Sequence, residues 1–307
     1  MNNRYLYKVI SDYDFQIAHV YEHIFISAFL QLIKEKGFQI GLFGWICGEI
    51  FDDVIMIEVG FYDKKARALF DEYLETEFVV TDEMLAKAVG SVACEYRANL
   101  SVDLEKIKIE LDKIAEKPFL WLEEQLVLEE YSNVKDRYRS KYLKVHKRKS
   151  DYEEVAVMAD YRGKRVDDLA VLMRIWPIFA DNISFFMEER KEGYGFDTIS
   201  PFYDKNNKCV TMGEAYICRG GEYSEDEIKK DVEAILKNID FVNFRQEIED
   251  YIDGFRRMSN FENIPRKIMD DIGLLVSRRK IAELFTAENV QRVWDRLEIR
   301  VSRYNLK

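Results

Sequence analysis

The sequence predicts an α+β protein built from two similar domains, and three observations carry that expectation. Segments of helical spacing alternate with short runs rich in Ile, Val, Phe and Trp, and the same vocabulary recurs in both halves of the chain. The length, 307 residues, is about what two ordinary domains need, and 48% apolar residues supply two cores. The two halves have comparable content, and a soft boundary near residue 150 divides the chain into 1–148 and 149–307.

In chain order, Asp12 and Asp14 each offer a cap for a helix that runs through apolar residues to Ile33 and stops at Lys34-Glu35-Lys36-Gly37. Phe38 to Gly60 reads as two or more strands, most clearly Val54 to Val59. Helical spacing returns from Lys64 to Glu77, with Ala68, Leu69, Tyr73 and Leu74 on one side. Thr81-Asp82-Glu83 opens another helix, and Val102 to about Tyr142 is charged, amphipathic and mostly helical, broken at Pro118. A helix from about Val166 to Phe185, interrupted at Pro177, leads into Glu192-Gly193-Tyr194-Gly195-Phe196, a turn and strand start. A strand from Cys209 to Cys218, a capping box at Ser224 to Glu227, and a last helix from Thr286 burying Val290, Val293 and Leu297 complete the reading.

Charge and composition exclude several classes. With 46 basic and 57 acidic residues the net charge is −11, which argues against nucleic acid, since phosphate neutralisation needs excess base. Lys135 to Lys149 departs from that average, with eight Lys or Arg and His146 against Asp136 alone, and reads first as a solvated face or connection. No apolar run is long enough to span a membrane, and Met1 to Lys8 lacks the features of a secretory signal, so a cytoplasmic chain is expected. Cys47, Cys94, Cys209 and Cys218 form no C-x-x-C pair and are expected to fill core space.

The chemistry lies in His19-Val20-Tyr21-Glu22-His23, an H-x-x-E-H array holding two of the chain's three histidines. Positions four apart on a helix share a face, so His19 and His23 can reach one cation while Glu22 can act on a water beside it. A catalytic zinc takes a third protein ligand, and His146 is the other imidazole available. Glu95 is the better candidate. It continues the stripe Leu85, Ala88, Val92, which places an acid on an inward face where a cation would balance it. The competing reading rotates this helix and pairs Glu95 with a surface arginine.

This pattern, H-x-x-E-H followed by a strand region and a helical glutamate 72 residues after His23, resembles the inverted-zincin peptidases of family M16. The resemblance implies that each domain is a mainly antiparallel sheet packed with helices, together forming half of a peptidase chamber. It implies Zn2+ held by His19, His23 and Glu95, with Glu22 as the base for peptide-bond hydrolysis. Phe185 to Phe196 is similar to the family's second-domain segment that binds substrate, which implies Arg190 and Tyr194 in that role. Phe285 to Val290 is similar to its closing helix. A chain of this length implies a dimer, with an identical or related partner, acting on short or unfolded peptides.

Four departures from the family pattern bear on activity. Ala88 stands where a second glutamate is usual, and no Asn occurs between Trp45 and Asp52 where the family holds the substrate backbone. Phe196, not a tyrosine, occupies the position best aligned after Arg190, and the motif's early place implies that the leading strands are short or absent. The alternative is therefore a non-hydrolytic subunit that binds peptide or supports an active partner.

Overall fold

The structure, a computed structural model, describes residues 4–10, 14–51, 54–76, 79–122, 143–147, 151–163, 166–190, 194–220, 224–257 and 283–305. The protein is α+β. One antiparallel sheet has the order β2 (Gly44–Phe51), β3 (Val54–Phe61), β1 (Arg4–Val9) and β5 (Leu120–Leu122). A second has the order β10 (Glu298–Asn305), β7 (Tyr152–Tyr161), β9 (Cys209–Arg219) and β8 (Gly195–Asp204), also antiparallel throughout. A two-stranded ribbon pairs β4 (Ala98–Val102) with β6 (Leu143–Lys147).

One strand of six residues, β1, precedes α1 and sits inside the first sheet, paired on both edges. Its pattern is masked in the sequence because Lys8 is one of its buried residues, 2% exposed. The Lys8 ammonium donates to Tyr21 Oη at 3.0 Å and to the Ile114 carbonyl at 2.9 Å, and lies over the Tyr21 and Phe119 rings. It thereby closes the end of α4 (Leu104–Ala115) onto the sheet.

The helix carrying H-x-x-E-H is α1, Phe15–Glu35. Asp14 caps it by accepting from the Gln16 N–H, and at its other end Gly37 adopts φ +82° so that Gly37 and Phe38 N–H bond Lys34 and Ile33 carbonyls. One face of α1 meets the sheet through Ile17, Val20, Ile24 and Phe29, opposite Ile55, Ile57 and Val59, which alternate inward along β3. Helix α2 (Lys64–Glu75) buries Ala66 and Phe70 and leaves Ala68 exposed, so its inner face is rotated from the one its sequence suggested. The aromatic set Phe25, Phe29, Phe70 and Tyr73 pulls it round, with Phe29 and Phe70 edge-to-face at 4.8 Å.

Helix α3 (Asp82–Glu95) starts at the Thr81 cap and packs on α1. After α4 and Pro118 the chain forms β5, not more helix, and residues 123–142 lie outside the described residues. The basic run from Lys135 is therefore described only over β6, where His146 stands opposite Asn99.

Helix α5 (Val166–Arg190) runs through Pro177 without a break. Proline costs a helix interior about 3 kcal/mol, and the burial of Ile175, Ile178, Phe179 and Ile183 outweighs it. This helix also links the two halves. Gly41, at φ +80°, brings the 38–43 loop so close that an added Cβ would lie 3.0 Å from Ile178 Cα, and Asn182 donates to the Ile40 carbonyl at 2.9 Å. Correspondingly Leu42 joins the core of the second sheet and Phe185 joins that of the first. Helices α6 (Glu225–Lys237, with the expected Ser224–Glu227 capping box), α7 (Arg245–Arg257) and α8 (Ala287–Trp294) complete the second core. Among the described residues no helix is long and apolar enough to cross a membrane.

Burial brings the Lys8 ammonium down to about 7 from its ordinary 10.5. Between those values the unfolded chain binds a proton that the folded chain does not, so this residue makes stability rise with pH across that window. Urea unfolding should show Lys8→Met flattening the rise between pH 7 and 9 by on the order of 1–2 kcal/mol relative to the parent.

Candidate metal centre

Helix α1 presents His19, Glu22 and His23 on the face away from the β3 contacts, and the last residue of α3, Glu95, meets them. His19 Nε2 is 3.2 Å from Glu95 Oε2, and His23 Nε2 is 3.2 Å from Glu95 Oε1. Each carboxylate oxygen thus addresses one imidazole. The two rings lie with centroids 4.9 Å apart, and one ligand atom from each of His19, Glu22 and His23 falls within 4.8 Å of the others. The inward Glu95 reading is the one observed, not the rotated helix.

Electrostatics follow from this packing. Burial pushes the Glu22 carboxyl up, and the neighbouring Glu95 adds to the effect, while His23 and His19 pull against them. For His23, burial alone would lower the imidazolium, but contact with Glu95 and the charges of Glu22 and Glu188 outweigh it and hold it at about 9. Burial would raise Glu95 as well, yet the two imidazoles hold it well below the usual carboxylate range.

The donor set fits a zinc ion. Two imidazole Nε2 atoms lie beside the carboxylates of Glu95 and Glu22, and these are the atom types of open three-ligand zinc sites. The buried His23 Nε2 has the Glu95 contact without the alignment of a hydrogen bond, so a strong donor atom is left unsatisfied. Glu22, 4.0 Å from His19 Nε2, stands beside this set.

Several neighbours were not legible in the sequence. Tyr96, the C-cap of α3, places its hydroxyl 3.2 Å from His19 Nδ1, where a hydrogen bond can orient the ring. Gly48 of β2 lies so near Glu22 that an added Cβ would sit 2.2 Å from Oε1, and a Cβ on Gly195 of β8 would sit 2.9 Å from Glu95 Cα. Both glycines read only as strand punctuation in the sequence.

These groups line a cavity of about 570 Å³ between α1, β2, α3, α5 and β9, with Tyr194 ahead of β8. Tyr194 is in its wall, its N–H donating to Ser91 Oγ and its ring edge-on to Tyr216 at 5.6 Å. Burial raises the Tyr194 hydroxyl well above its ordinary value, which keeps it protonated and able to donate. Arg190 ends α5, and its side chain lies outside the described residues, as do residues 191–193. Cys94, Cys209 and Cys218 are buried as expected, whereas Cys47 is exposed and lines the cavity.

No protein-family model and no curated protein matches the chain. Among solved structures it is similar to a mutant of the ferredoxin protease FusC in complex with Arabidopsis ferredoxin, at 11% identity over 97% of this chain and 42% of that one, TM-score 0.35. It is also similar to the periplasmic protease PqqL from Escherichia coli, at 11% identity over 99% of this chain and 43% of that one, TM-score 0.36. A peptidase M16 inactive domain from Pseudomonas fluorescens aligns at 11% identity over 97% and 91% of the two chains, TM-score 0.33. The chain spans about two fifths of the length of the first two.

The Gly48 contact makes a specific demand on the site. Gly48→Ala should force the Glu22 carboxylate out of place and cost about 1–3 kcal/mol in chemical denaturation, the range of an overpacked interior.

Proposed function

We propose that the chain is a zinc-dependent endopeptidase that hydrolyses short or unfolded peptides, acting as a dimer in the cytoplasm with a copy of itself or a related chain. The observation that carries this reading is the meeting of His19, His23 and Glu95 in a cavity, each imidazole 3.2 Å from one Glu95 oxygen, with Glu22 4.0 Å from His19 Nε2. A zinc ion held by those three residues would polarise the peptide carbonyl and lower the pKa of a water.

The chain's own groups account for the rest. Glu22, whose carboxyl burial has raised, accepts the proton of the attacking water and returns it to the departing amine nitrogen. The N–H and C=O groups on the outer edge of β2, the end strand of its sheet, are placed to pair with an extended peptide, since Gly44 to Gly48 line the cavity. Tyr194 donates from the opposite wall, with Arg190 following from the resemblance alone. Tyr96 positions His19 so that Nε2 faces the cavity.

The second reading, a non-hydrolytic peptide-binding or partner subunit, is favoured by two observations. Ala88 supplies no second carboxylate, and β2 offers no Asn side chain to hold the substrate backbone. The M16 relationship and division into domains 1–148 and 149–307 belong to the proposal in either case.

Metal analysis of the purified chain should find near-stoichiometric zinc, lost in His23→Ala. In chelator competition Tyr96→Phe should bind zinc about 10- to 100-fold more weakly at unchanged thermal midpoint, the cost of losing an orienting partner. Against a mixed peptide pool, Glu22→Gln should retain zinc and lose cleavage by at least about 100-fold. Retained zinc without cleavage by the parent chain, alone or with a related subunit, would establish the second reading.

A further inference from the structure

The cavity has a property that metal binding does not use. Helix α5 contributes one continuous stripe to its wall, with Trp176, Asp181 and Glu188 spaced along it, and α1, β2 and β9 add Glu22, Trp45 and Glu214. The described lining residues include five carboxylates counting Glu95, and no lysine or arginine.

Asp181 is distinct within this set. Among the described residues no hydrogen bond or ion pair reaches its carboxylate, whereas Glu22 and Glu95 face imidazoles and Glu188 has Ser27 and Lys87 nearby. The groups that feel its charge are Cys47 and the tyrosines Tyr62, Tyr216 and Tyr251, none of which is a cation. Burial accordingly pushes its carboxyl up to about 7. Asp181 is half-buried in the cavity wall without a counter-charge, and a cationic ligand group entering the cavity beside it supplies one. Trp45 and Trp176 line the same cavity and add apolar surface to it. The overall charge of −11 draws cations toward the chain in the same sense.

We infer that the cavity selects peptides presenting an arginine or lysine side chain, with Asp181 as the counter-charge and Trp45 and Trp176 as its apolar walls. The inference rests on the peptidase reading and names its substrate class. It makes Asp181 a specificity residue, separate from the groups that hold metal or move protons. A structural role for Asp181 predicts something different, because an unpaired carboxylate that only fills space is replaced by its amide with no change in ligand preference.

The test uses the full-length zinc-loaded Glu22→Gln chain, which holds peptide without cleaving it, and two fluorescein-labelled peptides of glycine, alanine and leucine that differ in one central residue. One carries arginine and the other citrulline, which has nearly the same shape and no charge. Fluorescence anisotropy should show the arginine peptide bound at least about tenfold more tightly, a difference of the size that buried charge pairs produce. Adding Asp181→Asn should bring the two affinities together, with zinc content unchanged and a thermal midpoint equal or higher. Asp181→Lys should instead favour a third peptide with a central glutamate. Equal affinities in the parent, no binding of either peptide, or an arginine preference that survives Asp181→Asn would overturn the inference. These readouts fail independently of the function proposed above: zinc-dependent cleavage without charge preference removes only the role of Asp181, and charge-selective binding by a chain that never cleaves removes only the hydrolysis.

Discussion

Glu95 holds the two imidazoles of α1 from the end of α3, and the arrangement of the first half depends on that contact. Helix α1 is buried on almost every side, so its polar face has to be satisfied from within the protein. One carboxylate 3.2 Å from both Nε2 atoms joins the end of α3 to α1 but leaves the buried His23 Nε2 without an aligned hydrogen bond. Tyr96 follows immediately and closes the same helix, so one helix end supplies both the acid and the hydroxyl that contacts His19.

The second half contributes through close approach. Gly195 lets β8 pass against the backbone of Glu95 and Gly41 seats the 38–43 loop on α5, while within the first half Gly48 leaves the volume that Glu22 occupies. At each position a single methyl group would meet backbone or a functional carboxylate, so the cavity is set by where side chains are missing as much as by where they are present. The exchange of Leu42 and Phe185 between the two cores holds these surfaces together.

Much of the local architecture was legible because it is written in local chemistry. Asp14, Thr81 and Ser224 cap the helices they were expected to cap, and Val54 to Val59 alternates as a half-buried strand should. The misreadings have physical causes. Lys8 hides β1 because a buried lysine is rare, α5 survives Pro177 because core burial exceeds the cost of a lost hydrogen bond, and β5 replaces predicted helix after Pro118 because it gains a sheet edge beside β1. Helix α2 turned its face toward Phe25 and Phe29, residues far from it in sequence.

By itself the sequence determined the α+β class, the helix that carries His19, Glu22 and His23, and the shared face that four-residue spacing imposes. It left Glu95 balanced between an inward and a surface position, and it was silent on Tyr96, Gly48 and Asp181. Those were decided by tertiary structure, because helical periodicity places a residue only relative to its own helix. The partner of a carboxylate, a solvent, an arginine or two imidazoles, depends on which elements pack against that helix, and here α1, β2 and α5 supply the answer.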